Sequence, residues 1–204
     1  MITIYGHPAT SAGRCYWLLE ELGIEYKSEK VDMRAKEHKA PAFLEMNPNG
    51  KIPVLKDGSF TLFESLAINQ YLAERFNPSL LGDTLEERAI VHQWNVWSQV
   101  EYQKPMIDLF IQLVFVPEGK RDEAIIEKAR EKIAGLNQIL DRSLLGKTYI
   151  AKNSFTTADL NLASVAKINK FVGISLDQLP NLAKWLEKTL ARPAAQKVTA
   201  MERS

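Results

Sequence analysis

Glu64-Ser65 closes a hairpin pattern and opens a helical one. At a helix start the unbonded N–H groups and the positive end of the dipole favour an anion. Ser65 therefore suits a carboxylate, and Glu64 beside it suits an ammonium. The α-amino acid end of a ligand carries both. Just upstream stands Ile52-Pro53. A cis bond before proline costs only about 0.5–1 kcal/mol relative to trans. In the cis form the N–H and C=O of Ile52 are exposed to accept a short peptide as an added strand. Lys51, with His38-Lys39 on the preceding loop, is placed to meet a second carboxylate at the far end. The implied ligand is a small peptide with an α-amino acid at one end and a carboxylate at the other.

Bulk composition narrows the class. The chain has 204 residues, 46% apolar and 25% charged, with net charge +1. Those fractions are ordinary for a globular protein. The near-neutral balance gives no electrostatic case for nucleic acid or a membrane surface as partner. A single cysteine, Cys15, excludes an intramolecular disulfide framework and a zinc ribbon, and no metal site is expected. The stretch Met1–Tyr5 reads as a strand, with no charged-then-apolar leader pattern. Met106–Val116 is interrupted by Asp108 and Gln112 and is too short to span a bilayer. A cytoplasmic location is expected.

The elements that must hold these residues follow from periodicity. Residues 2–5 predict a strand, Arg14–Leu22 a helix stopped by Gly23, and Ile24–Val31 a second strand, together a βαβ unit. A short helix near Pro41–Glu45 leads to a hairpin, Ile52–Lys56 with Phe60–Phe63, turning at Asp57-Gly58. A helix over Ser65–Phe76 closes the unit. The order β-α-β-α-β-β-α is that of a thioredoxin-like fold. Residues 77–83 read as a linker, and 84–204 as an all-helical unit. Within it, Leu85–Val116 is helical with a kink or break at Pro105. Residues 124–145 carry the stripe Ile126, Ala129, Ile133, Leu136, Leu140, Leu144. Thr156–Lys170, Leu179–Leu190 and Pro193–Met201 complete the helices. The fold class is α/β followed by all-α.

The hairpin segment from Asn47 to Ser65 resembles the N-terminal domain of the cytosolic glutathione transferases. Glu37-His-Lys-Ala-Pro-Ala-Phe-Leu44 followed by Asn47-Pro-Asn-Gly50 is similar to the plant phi class in particular. In the helical half, Ser154-Phe-Thr-Thr-Ala-Asp-Leu160 resembles the family's capped core helix. There Thr156 and Asp159 take N-cap and N3, and Phe155 and Leu160 form a hydrophobic staple. The resemblance covers the whole chain. It implies that Ile52, next to cis-Pro53, pairs with the cysteinyl backbone of glutathione. Glu64 and Ser65 would grip the γ-glutamyl end, and His38, Lys39 and Lys51 the glycine carboxylate. It further implies a detoxifying transferase joining the glutathione thiolate to a hydrophobic electrophile, and a homodimer. A peroxidase, reductase or dehalogenase on the same site, and a non-catalytic glutathione-binding module, are the alternatives.

Such chemistry needs a thiolate. A free thiol titrates near pH 8.5, so lowering it by two units requires roughly 2.7 kcal/mol of selective stabilisation of the anion. The loop before the first helix offers two hydroxyls, Thr10 and Ser11. The chain is about one residue shorter than the phi pattern between Tyr5 and Arg14, which leaves both open; Ser11 is preferred as the smaller and nearer the helix. Plain helix capping is the competing role of either. Cys15 lies one residue into the helix and reads as a buried structural thiol. His7 and Ala9 are candidates for the electrophile wall, with Trp97, Tyr102, Met106 and Phe110. At helical spacing, that second set equally suits a core or a dimer contact.

Overall fold

The computed structural model describes residues 1–203 and divides the chain into two compact units, 1–81 with 191–203, and 82–190. In the first, β1 (Ile2–Tyr5) lies between β2 (Tyr26–Glu29) and β3 (Val54–Asp57), with β4 (Phe60–Phe63) at the far edge. β1 runs parallel to β2 and antiparallel to β3, in register Tyr5↔Val54. Ile2 and Ile4 alternate inward, so their period of two sets the strand's buried face. Strand β2 is shorter than expected because Val31 leaves the ladder. It joins Phe43 and Val54 in a small core against which Tyr5, Met46, Ile52 and Phe63 pack. The hairpin turns one residue later than the Asp57-Gly58 pattern suggests: Asp57 still pairs with Phe60, and Gly58-Ser59 forms the loop. Helices α1 (Gly13–Leu22), α2 (Pro41–Leu44) and α3 (Ser65–Phe76) complete the expected order.

The boundary between units differs from the sequence-based division in two respects: residues 77–81 of the expected linker belong to the first unit and 82–83 to the second, and the final helix changes unit. The final helix, expected with the helical unit, packs on α1 in the first unit instead. Its approach is fixed by Arg192, whose guanidinium donates to both carboxylate oxygens of Glu21 at 2.7 and 2.6 Å. Lys197 pairs with Glu20 at 2.6 Å, and Ala195 and Val198 are buried. Both charge contacts span more than 170 residues of sequence.

The second unit holds α4 (Leu85–Trp97), α5 (Gln103–Phe110), α6 (Glu123–Ser143), α7 (Thr157–Ala166), α8 (Ile168–Phe171) and α9 (Pro180–Leu190); the last helix of the chain, in the first unit, is α10 (Pro193–Met201). The α-helical repeat is interrupted just before Pro105, in line with the expected kink or break: the π-helical stretch Ser98–Tyr102 separates α4 from α5, of which Pro105 is the third residue. A second π-helical stretch, Ile111–Phe115, follows α5. The stripe on α6 is buried from Ile126 to Leu140, with Leu144 at its end. Helix α7 is buried nearly all round, as befits a central helix. Its N-terminus is organised by Asp159, which accepts from the Thr156 N–H at 3.1 Å and its hydroxyl at 3.0 Å. The same carboxylate accepts from Ile150 N–H at 2.8 Å and Trp185 Nε1 at 2.9 Å. Burial pushes the Asp159 carboxyl up while these four donors pull it down.

Candidate functional site

The Ile52–Pro53 peptide is cis. The β1–β3 ladder ends at Val54, so the backbone of Ile52 lies outside it, while its side chain packs on the Val31–Phe43–Val54 cluster. The loop leading into it is built by Asn47, which is 2% exposed. Its amide donates to Lys51 O at 2.6 Å, its Oδ1 accepts from Asn49 N–H at 3.0 Å, and its carbonyl accepts from Gly50 N–H at 2.8 Å. Gly50 has φ 55°, and a Cβ there would sit 2.7 Å from both His38 O and Lys39 Nζ. Only glycine allows the two loops to close. His38 and Lys39 thereby lie against Gly50, the residue before Lys51. Lys39 Nζ donates to Asn49 O at 3.1 Å, Lys51 is exposed, and the buried Nδ1 of His38 has no partner. The Asn47 network that supports this loop was missed by sequence reasoning. An asparagine before Pro-Asn-Gly is an Asx-turn signal that could have marked it.

Among the described residues Glu64 is one of two non-glycine residues with positive φ, at 71° with ψ 113°. Such a conformation costs on the order of 1–3 kcal/mol and clusters at functional sites. It leaves the Glu64 side chain exposed, with no capping bond, while Ser65 is buried as the first residue of α3. Two bonds tie this corner to the start of α1. Cys15 Sγ donates to Ser65 O at 3.5 Å, and Asn69 Nδ2 donates to Arg14 O at 3.2 Å. Burial pushes the Cys15 thiol up to about 12, with neighbouring Arg14 opposing. Its thiolate population at neutral pH is negligible, which fits a packing group rather than a nucleophile.

The loop before α1 separates the two hydroxyls. Thr10 Oγ1 donates to His7 O at 2.6 Å and accepts from Ala12 N–H at 3.2 Å. A hydroxyl has one proton, and that of Thr10 is committed to the turn. Ser11 is exposed, and its hydroxyl has no partner among the described residues. Gly6 brings this loop to the hairpin: a Cβ on it would lie 2.7 Å from Ala12 Cβ and 3.7 Å from Ile52 Cβ. His7 is half-buried and its Nδ1 accepts from Ala9 N–H at 3.1 Å, so it shapes the turn; Ala9 is exposed.

In the second unit the four electrophile-wall candidates divide. Tyr102 and Met106 are fully buried, and the Tyr102 hydroxyl donates to Asn137 at 2.6 Å and accepts from Asn169 at 2.9 Å. Both are core residues, and this corrects their assignment to the ligand surface. Trp97, stacked near Trp94 and Tyr102, and Phe110, edge-to-face with Phe115 and Phe171, keep exposed surface. Phe115, 71% exposed and touching Phe110, was not singled out from the sequence. Among the described residues no cluster of His, Cys, Asp or Glu could hold a metal ion. No helix among them is long and apolar enough to cross a membrane.

Comparison with known proteins places this geometry among relatives. Residues 1–74 match the family model for the glutathione S-transferase N-terminal domain, and 102–193 match that for its C-terminal domain. The chain is 33% identical to glutathione S-transferase F10 of Arabidopsis thaliana, over 92% of this chain and 95% of that one. A theta class glutathione S-transferase of Xanthomonas axonopodis pv. citri, solved with glutathione bound, superposes with TM-score 0.90 at 34% identity, covering 96% of this chain and 95% of that one. Glutathione S-transferase-I, solved with lactoylglutathione, superposes with TM-score 0.91 at 31% identity over 98% and 99%.

Proposed function

The chain belongs to the glutathione S-transferase family, and we propose that it binds glutathione along Ile52–Pro53 and transfers the thiolate to a hydrophobic electrophile. The observation that carries the reading is the Ser11 hydroxyl. It is uncommitted at the foot of α1, the helix that Cys15 ties to Ser65 O and Asn69 ties to α3 through Arg14 O. Ser11 donates to the sulfur and stabilises its negative charge, which lowers the barrier because the anion is the reacting species. Ile52 offers its backbone to the middle of the tripeptide. Glu64 takes the γ-glutamyl ammonium, and Ser65 its carboxylate. His38, Lys39 and Lys51 take the glycine carboxylate.

A Glu64→Gln variant tests the binding half. Losing a charge-assisted bond worth about 1.5–3 kcal/mol raises KM for glutathione roughly ten- to hundred-fold. The maximal rate at saturating glutathione changes much less. Steady-state kinetics with an aromatic halide reads both, and an unchanged KM refutes the assignment of Glu64.

We also infer a cytoplasmic homodimer. Leu85, Val96 and Val100 are 79%, 44% and 65% exposed along α4 and the π-helical turn after it. Exposed apolar residues repeating at that spacing on one helical face fit a subunit contact. Sedimentation equilibrium is expected to give twice the chain mass of 23.1 kDa; a monomer at micromolar concentration removes the inference.

A further inference from the structure

Asn49 is the one asparagine of the chain that is followed by glycine. An asparagine side chain is short enough for its Cγ to reach the next backbone nitrogen, and glycine, having no Cβ, leaves that approach open. Such amides are among the heat-labile groups of proteins. The Asn49 side chain is exposed, and its amide makes no hydrogen bond among the described residues. Asn47 is spared the same reaction because Pro48 offers no N–H. Asp57-Gly58 could close a similar ring, but the Asp57 carboxylate is 10% exposed, accepts from Tyr71 at 2.7 Å and is paired with Arg75. At Asn49–Gly50 the restraint falls mainly to one residue. Gly50 N–H donates to Asn47 O at 2.8 Å, and Asn49 N–H donates to Asn47 Oδ1 at 3.0 Å. Opening that single turn frees the attacking nitrogen, and local openings of this kind cost far less than global unfolding.

We propose that Asn49 is a spontaneous modification site: it deamidates through the opened Asn47 turn, glutathione slows the reaction, and the product binds glutathione poorly. The Gly50 nitrogen bonds to Asn49 Cγ and gives up its proton, the bond from Cγ to the side-chain nitrogen breaks, and ammonia leaves. Water then opens the cyclic imide at either carbonyl. Breaking the new bond yields aspartate. Breaking the original peptide bond yields isoaspartate, with one more carbon in the main chain. Both products are carboxylates at neutral pH. The new charge arises where Lys39 Nζ already donates to Asn49 O at 3.1 Å, so Lys39 is drawn to it. The extra carbon disturbs a loop in which a Gly50 Cβ would lie 2.7 Å from His38 O. The loss of affinity rests on the reading above, in which Lys39 and Lys51 take the glycine carboxylate.

The full chain is aged at mildly alkaline pH and mapped by mass spectrometry through the tryptic peptide 40–51. That peptide is expected to gain the mass of NH₂ replaced by OH, located at Asn49 by fragmentation, with isoaspartate in excess of aspartate. S-methylglutathione at about 100 times its Kd is expected to slow the gain about 100-fold, because it binds the closed turn and not the open one. Asn47→Ala is expected to speed it about ten-fold, through loss of the bonds that close the turn. Should Asn47→Ala fold poorly, hydrogen exchange at the Gly50 amide of the parent reads the same opening, and the ligand must slow it by the same factor. Aged protein, and Asn49→Asp made directly, are expected to bind S-methylglutathione about ten-fold more weakly by calorimetry. No gain in folded parent and Asn47→Ala alike, once the free 40–51 peptide is consumed, overturns the proposal. So does a rate indifferent to a ligand that is shown to bind. Fresh protein that fails to bind S-methylglutathione refutes the glutathione reading itself; fresh protein that binds it while aged protein and Asn49→Asp bind equally well refutes only this inference.

Discussion

Replacing Ser11 by alanine slows conjugation by roughly fifty-fold near pH 6.5 and hardly at all near pH 9. The arithmetic is that of one thiol. With its pKa lowered from about 8.5 to about 6.5, half of the bound glutathione is thiolate at about pH 6.5; with the pKa restored, about 1% is. The pKa concerned is depressed in the wild-type complex, so the advantage is present between the two values and vanishes as pH rises above the higher one. The variant's pH–rate profile therefore moves about two units to the alkaline side, while KM for glutathione changes little. Thr10→Ala is the control. It removes a turn bond and costs about 1 kcal/mol of stability, but the profile stays in place because the Thr10 proton is already given to His7 O. An unshifted Ser11→Ala profile, or a shifted Thr10→Ala profile, reverses the assignment.

Asp159→Asn is expected to lower stability by roughly 4 kcal/mol, the cost of setting an amide N–H₂ against two of four buried donors. Each carboxylate oxygen serves two of them: Oδ1 takes Ile150 N–H and Trp185 Nε1, and Oδ2 takes both groups of Thr156. Whichever oxygen becomes nitrogen, two donors lose their acceptor in a site with no exposure. For a chain of this length the melting temperature falls by about 10 °C. Scanning calorimetry reads the shift, and a change below about 2 °C means that Asp159 is not the keystone of α7. Activity of the surviving folded fraction at low temperature should be normal, because no reacting group is touched.

Much of this was legible in the residues, for identifiable reasons. Helix α3 and strand β4 have the bounds that their residue patterns predict, since Ser65 starts the apolar helical repeat and Phe60–Phe63 follows a two-residue turn. The Thr156–Asp159 spacing announced its bonds, because a capping box is a local motif. Three things were hidden. The π-helical turns around α5 break a 3.6-residue repeat that composition does not mark. The burial of the Tyr102 hydroxyl depends on Asn137 and Asn169, far along the chain. The choice between Thr10 and Ser11 turns on which hydroxyl the His7 carbonyl captures, a matter of loop geometry rather than residue type.

The grip of Arg192 on Glu21 has a consequence for biogenesis. The sheet-bearing part of the first unit is made before its covering helix, which follows only after residues 82–190 of the helical unit. On the ribosome the outer flank of α1 must wait, uncovered, while more than a hundred residues of the helical half emerge and fold.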